Sequence, residues 1–252
     1  MAMYATGTVE CICPAFATPI FADNLMQSNL CTYDHAAPGM YTTVAFSLTG
    51  GNLLRWFRDQ WAQVETDEAQ RTGADPYDLL LRDMPSEPTD LTVLPYFTPS
   101  GTPYFDADVP GAIVGLRLST TRGQVLRALL EGVAMEMRLN VEILDRAGLP
   151  IREFRAIGGG AKNPKLTQLK ADVLDRPITT LAVTEAGCLG VALLACAADT
   201  GAAPRDLAAA WVKPQDVVEP DPRRAKVYRE KSAVYQTVYP WLRKWLDELP
   251  RG

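Results

Sequence analysis

Histidine is almost missing from this chain. His35 is the only one among 252 residues, which sets aside Ser-His-Asp triads, histidine-rich metal sites and histidine general bases. Cysteine is sparse and odd in number: Cys11, Cys13, Cys31, Cys188 and Cys196. None of them makes a C-x-x-C pair, so neither a disulfide framework nor a zinc ribbon is indicated. All five are expected to be reduced and mostly buried. Cys11 and Cys13 on one strand would point to one face, but two ligands do not make a zinc site. No apolar run approaches the roughly 18 residues of a transmembrane helix. The N-terminal stretch lacks the cationic start and apolar block of a secretory signal. Basic runs are absent too: Lys plus Arg is 25, Asp plus Glu is 30 and the net charge is −5. That balance argues against a nucleic-acid face. A cytoplasmic protein with no membrane and no nucleic-acid partner is expected.

What remains is ordinary globular composition, 47% hydrophobic and 22% charged, enough for one large core or two modest ones. Residues 4–13 read as strand around Thr6-Gly7-Thr8, and 14–48 as short strand pieces and turns. Gly50-Gly51 precede a helical pattern over 53–61, and 65–90 reads as a short helix plus loop. Strands are expected at 91–97 and 112–116, separated by a Gly/Pro-rich loop in which Asp106 and Asp108 make Asx turns rather than a metal pair. The longest helix follows, capped by Ser119 or Thr120 and stopped by Gly148 and Pro150. Glu131 inside it is expected to pair with Arg127 or Arg138. Strand 153–157, a triple-glycine turn and helix 164–175 come next. Strand 178–182 and helix 185–199 follow, the latter with small residues that imply close approach to a neighbour. A helix over 222–248 offers Tyr228, Val234, Tyr235, Trp241, Leu242 and Trp245 as a docking stripe. Trp56, Phe57 and Trp61 are expected in the core. Strand–turn–helix units make the class α/β.

The sharpest chemical feature is Gly158-Gly159-Gly160-Ala161-Lys162-Asn163-Pro164. Three glycines let backbone amides reach a ligand, Asn163 stands where an N-cap belongs, and Pro164 fits the first helical position. Such a turn offers free N–H groups to a phosphate; it is equally a tight strand-to-helix packing turn. No G-x-x-x-x-G-K-[ST] loop occurs. Gly158 and Gly160 fit a dinucleotide fingerprint, but Asn163 replaces its third glycine, so a dehydrogenase is disfavoured. Thr6-Gly7-Thr8 and Gly50-Gly51 ahead of Arg55 are two further turns able to meet phosphate oxygens.

Gly111-Ala-Ile-Val-Gly115-Leu116, followed after seven residues by Gln124-Val125-x-x-Ala128-Leu129-Leu130-Glu131, resembles the second signature of the FGGY carbohydrate kinases. The stretch from Gly158 to Leu174 is similar to that family's adenosine motif, and Thr6-Gly7-Thr8 and the segment 51–59 fall in family order. The xylulokinase-like subgroup is the nearest. The resemblance implies an actin-like ATPase (ribonuclease H-like) domain, a mixed sheet flanked by helices. It makes residues 1–252 a single C-terminal, nucleotide-side domain, with the N-terminal sugar-binding and catalytic domain absent. It implies ATP or ADP with Mg²⁺ as cofactor, the Mg²⁺ held mainly by the nucleotide and the missing domain. Thr8 would contact the phosphates, Gly51 and Arg55 the nucleotide, although some members carry Gln where Arg55 stands. Gly158, Gly159 and Gly160 would pass under the nucleotide, and Asn163 would face the adenosine.

By the same resemblance the full reaction moves the ATP γ-phosphate to a sugar hydroxyl, of a pentulose such as xylulose. No catalytic residue and no metal ligand is assigned within this chain, because the family's aspartate base precedes the Thr-Gly-Thr turn and no acidic residue does so here. The chain alone is expected to be inactive. A non-catalytic nucleotide-binding or regulatory module is the alternative, and self-association as a homodimer through the face another domain would cover is an expectation.

Overall fold

The computed structural model describes residues 1–183 and 185–249. Ten strands and nine helices follow one another among them. First come β1 Ala2–Thr6, β2 Glu10–Phe16, α1 Asp23–Gln27, β3 Tyr33–Asp34, β4 Tyr41–Thr42 and β5 Ala45–Ser47. Next are α2 Gly51–Trp61, α3 Gln63–Thr72, α4 Pro76–Arg82, β6 Thr92–Leu94 and β7 Ala112–Val114. The long α5 Arg122–Arg146, β8 Phe154–Ile157, α6 Pro164–Leu174 and β9 Ile178–Leu181 complete the central unit. The chain ends with α7 Ala186–Thr200, α8 Pro204–Trp211, β10 Pro214–Val218 and α9 Pro222–Glu248.

The main sheet runs β10-β9-β8-β1-β2-β4-β3, with β5 also paired to β2. β1–β8 and β8–β9 are parallel, whereas β1–β2 and β9–β10 are antiparallel. The sheet is therefore mixed and flanked by helices, as expected. Strand alternation sends Tyr4, Ile12, Phe154, Ala156 and Ile178 to one face, where all five are buried with Met137, Val141, Leu144, Leu169 and Val173 of α5 and α6. A second core joins α2 and α4 to α5 through Leu53, Phe57, Leu80, Leu81, Leu126 and Leu129.

The expected strand 4–13 is a hairpin: Thr6 pairs with Glu10, and Gly7-Thr8-Val9 make the turn. The 65–90 stretch holds two helices, α3 and α4, each closed or opened by a local device: Gly73 is left-handed at φ 75°, and Asp75 accepts from the Tyr77 amide. The α5 cap is Thr121, not Ser119 or Thr120. Gln124 decides this by closing a capping box with Thr121, while Thr120 instead accepts from the Arg117 amide. Strand 112–116 stops at Val114 because Gly115 turns left-handed at φ 97°. Strand 91–97 shortens to β6, which pairs only with β7.

Four expectations about burial and packing are corrected. No cysteine is fully buried: Cys31 and Cys188 are exposed and the other three half-exposed, because α7 buries only Leu193 and Cys11 and Cys13 lie on the sheet face turned from α5. Gly187 and Gly190 in α7 meet open space rather than a neighbour. Phe57 is core, but Trp61 is 44% exposed. The α9 stripe splits: Tyr228, Tyr235 and Leu242, seven apart, are buried, while Val234, Trp241 and Trp245 face outward. One residue is about 100° of helix, so the neighbours of a buried position turn away.

Asp106 accepts from the Asp108 and Val109 amides, the Asx turn expected. Glu131 pairs with Arg127 at 2.9 Å and not with Arg138, whose partner is Glu142. Tyr228 and Lys231 of α9 reach the same carboxylate at 2.8 Å each, so α9 is locked to α5 by a buried polar cluster.

Candidate functional site

Three glycine turns meet at one end of the sheet. The Thr6–Val9 turn is the first, the start of α2 the second, and the loop from Gly158 to Asn163 between β8 and α6 the third. They border a cleft of about 840 Å³, within the size range of small-molecule sites. It brings together Thr8, Gly51, Arg55, Gly159, Gly160 and Asn163; Gly158 lies on the far side, lining a smaller cleft of about 430 Å³.

The turns touch backbone to backbone. The Gly51 amide donates to Gly7 O at 2.9 Å and the Asn52 amide to Thr8 O at 3.1 Å. A Cβ on Gly51 would stand 2.8 Å from Gly7 O. The first amides of α2 are thus spent on the hairpin, so Gly51 serves by close approach and not as a free donor. Thr6 Oγ1 donates to Ile157 O at 2.9 Å and draws the third turn in.

The three glycines of that turn do different things. Gly158 has φ 91° and its Cβ would lie 2.9 Å from Thr6 O, so both conformation and contact demand glycine. A Cβ on Gly160 would crowd Thr6 at 3.1 Å. Gly159 meets nothing within 4 Å; it faces the cleft and a side chain there would fill it. Gly159 and Gly160 open a short 3-10 turn, Gly159–Lys162, so their amides have no intrahelical acceptor and are open to a ligand. Asn163 caps α6, its Oδ1 accepting from the Lys165 and Leu166 amides at 3.0 and 3.3 Å.

Several cleft residues escaped the sequence reading. Lys162 lines the cleft and is exposed, like Arg55; neither forms an ion pair among the described residues. A lysine inside a glycine-rich turn was the signal available. Tyr77 stands on the α4 wall, held by Arg58, which lies 5.1 Å over its ring and donates to its hydroxyl at 3.0 Å. At the floor, buried Lys170 pairs with buried Glu10, which also accepts from Tyr4. Burial and the adjacent carboxylate push the Tyr4 hydroxyl upward, so it stays a donor.

Three carboxylates line the cleft, and each is engaged. Glu10 holds Lys170 and Tyr4, Asp75 caps α4, and Asp78 accepts from Asn163. The arrangement offers backbone amides, a threonine hydroxyl and two cations to a polyanion.

The comparisons agree with that chemistry. The sequence description of the FGGY family of carbohydrate kinases, C-terminal domain, matches residues 2–198. Xylulose kinase of Staphylococcus epidermidis is 28% identical over 222 residues, 84% of this chain and 42% of that protein. Glycerol kinase of Methylibium petroleiphilum is 31% identical over 218 residues, 82% of this chain and 42% of that protein. A crystal structure of a "xyloylose kinase" from Brucella ovis superposes with a TM-score of 0.82 at 27% identity, over 97% of this chain and 48% of that one. The chain spans less than half the length of these relatives.

Proposed function

Because the chain belongs to the FGGY family of carbohydrate kinases as its C-terminal domain, with the actin-like ATPase fold of its structural neighbours, we propose that the cleft is the nucleotide half-site of an ATP-dependent sugar kinase. The observation that carries this reading is the convergence of the three glycine turns on one cleft that carries Arg55 and Lys162. Phosphates would sit against Thr8 and the two cations, with the Gly159 and Gly160 amides beneath. Gly51 and Gly158 keep the turns close, and the adenosine would lie between Asn163 and the Tyr77 wall. Mg²⁺ would travel on the nucleotide phosphates.

Transfer of the γ-phosphoryl group needs an in-line sugar hydroxyl and a group that accepts its proton. The match to the C-terminal domain of the family supports supply of both from outside this stretch, with residues 1–252 acting as the nucleotide-side domain. The xylulose kinases among the relatives support a pentulose as acceptor.

Calorimetric titration with ADP and Mg²⁺, with NADH as control ligand, tests the assignment. ADP binding with silence from NADH is expected. Preference for NADH overturns the reading, as does silence toward ADP both alone and with the N-terminal domain of a relative added in trans.

A further inference from the structure

We propose that Met3, Cys11 and Cys13 form a three-sulfur site for a soft monovalent metal ion of the Cu(I) class, on the sheet face turned away from α5 and α6. Cys11 and Cys13 alternate with buried Glu10, Ile12 and Pro14 along β2, so both thiols project from the same, half-exposed face. Met3 stands directly opposite Cys13 in the β1–β2 register and is half-exposed on that same face. Directly opposed antiparallel residues place their Cβ atoms about 5 Å apart, which brings the thioether beside the thiol pair.

Thiolate is the ligating form, so Cys11 and Cys13 would bind as deprotonated sulfurs. Two residues of strand separate the Cβ atoms by roughly 6.6 Å, far beyond the roughly 3.8 Å of a disulfide. Two metal–sulfur bonds of about 2.3 Å each bridge such a gap without bending the strand. The pair is therefore better built to clasp an ion than to oxidise internally.

The donor set selects the ion. Thiolate and thioether sulfurs favour Cu(I), whereas structural zinc takes four nitrogen, oxygen or thiolate ligands. Among the described residues no group of three or more His, Cys, Asp and Glu side chains could hold a metal ion; Met3, opposite Cys13 in the register, would be the third ligand here. Binding releases the thiol protons to water. A bis-thiolate complex of a monovalent ion carries net charge −1, and Arg155, opposite Met3 in the β1–β8 register, supplies the compensating charge.

The test is an anaerobic titration of the full chain with Cu(I) against a competing bicinchoninate chelator. One tight equivalent is expected, lost in Cys11→Ser and in Cys13→Ser and weakened roughly tenfold or more in Met3→Leu. Cys31→Ser and Cys188→Ser should leave it unchanged. On the unmutated chain, Cu(I) should protect Cys11 and Cys13 from iodoacetamide while Cys31 and Cys188 are still labelled, read by mass spectrometry. Retention of the equivalent in either strand variant, protection of other cysteines, or equally tight Zn(II) binding overturns the site.

Discussion

The side-chain amide of Asn163 donates to Asp78 Oδ1 at 2.9 Å. One residue thereby stops α6 at its N-terminus and ties it to α4, the opposite wall of the cleft. Lys165 reinforces the tie by donating to Leu81 O at 2.7 Å. The cleft width is thus set by a polar clasp.

Asn163→Ala removes both functions. It should cost on the order of 1 kcal/mol through the lost cap and weaken ADP binding as the α4 wall loosens. Asn163→Asp keeps a cap acceptor but sets a like charge against Asp78, so stability should fall less while affinity still drops. Thermal unfolding and calorimetry on the two variants separate these effects; unchanged ADP affinity in both would remove Asn163 from the site.

The glycine turn should respond residue by residue. Gly159→Val points into open cleft, so ADP affinity should fall at least tenfold, roughly 1.4 kcal/mol, with little change in melting temperature. Gly158→Ala has to accept φ 91° and a clash with Thr6, and should destabilise the fold by roughly 1–3 kcal/mol. Loss of folding in Gly159→Val would make the turn a packing element only.

Glu136 is fully buried and accepts from Tyr96 at 2.9 Å and from Tyr235. Burial raises its carboxyl from 4.5 to about 7, against the opposing effect of the two hydroxyls. The folded state therefore holds the proton more tightly than the unfolded one. The stability this contributes is complete below about pH 4.5, is lost as pH rises toward 7, and then levels off. Glu136→Gln should flatten that limb, so wild type should lose roughly 1–3 kcal/mol relative to the variant between pH 5 and 8. Parallel urea titrations across that range would show it; parallel curves would refute the assignment.

Glu131 gathers Thr89, Arg127, Tyr228 and Lys231. Glu131→Leu leaves Arg127 buried without its counter-charge and should cost about 3–5 kcal/mol, whereas Tyr228→Phe removes one hydrogen bond and should cost about 1 kcal/mol. Denaturant unfolding distinguishes the two; equal costs would mean that the cluster is not organised around the carboxylate.

Local chemistry was written plainly in the residues. The 164–175 and 222–248 helices announced themselves through Asn163-Pro164, apolar spacing and length, and the α/β class followed from alternating strand and helix signals. The glycine turns marked where backbone could approach a ligand, because only glycine combines φ above zero with no Cβ. The FGGY likeness rested on these turns and on the segment from Gly111 to Glu131. What the residues alone did not decide was which faces would be covered. Val234 and Tyr235 look alike in a pattern, but helix pitch on a particular neighbour buries one and exposes the other. Thr120 and Thr121 are equal as caps until Gln124 folds back on one of them. Gly158, Gly159 and Gly160 read as three copies of one permission. Only the approach of Thr6, 152 positions away from Gly158, makes the first a necessity of the fold, crowds the third, and leaves the middle one open to a ligand. Such contacts join residues distant in sequence, and they exist only once the sheet has brought β1 against β8.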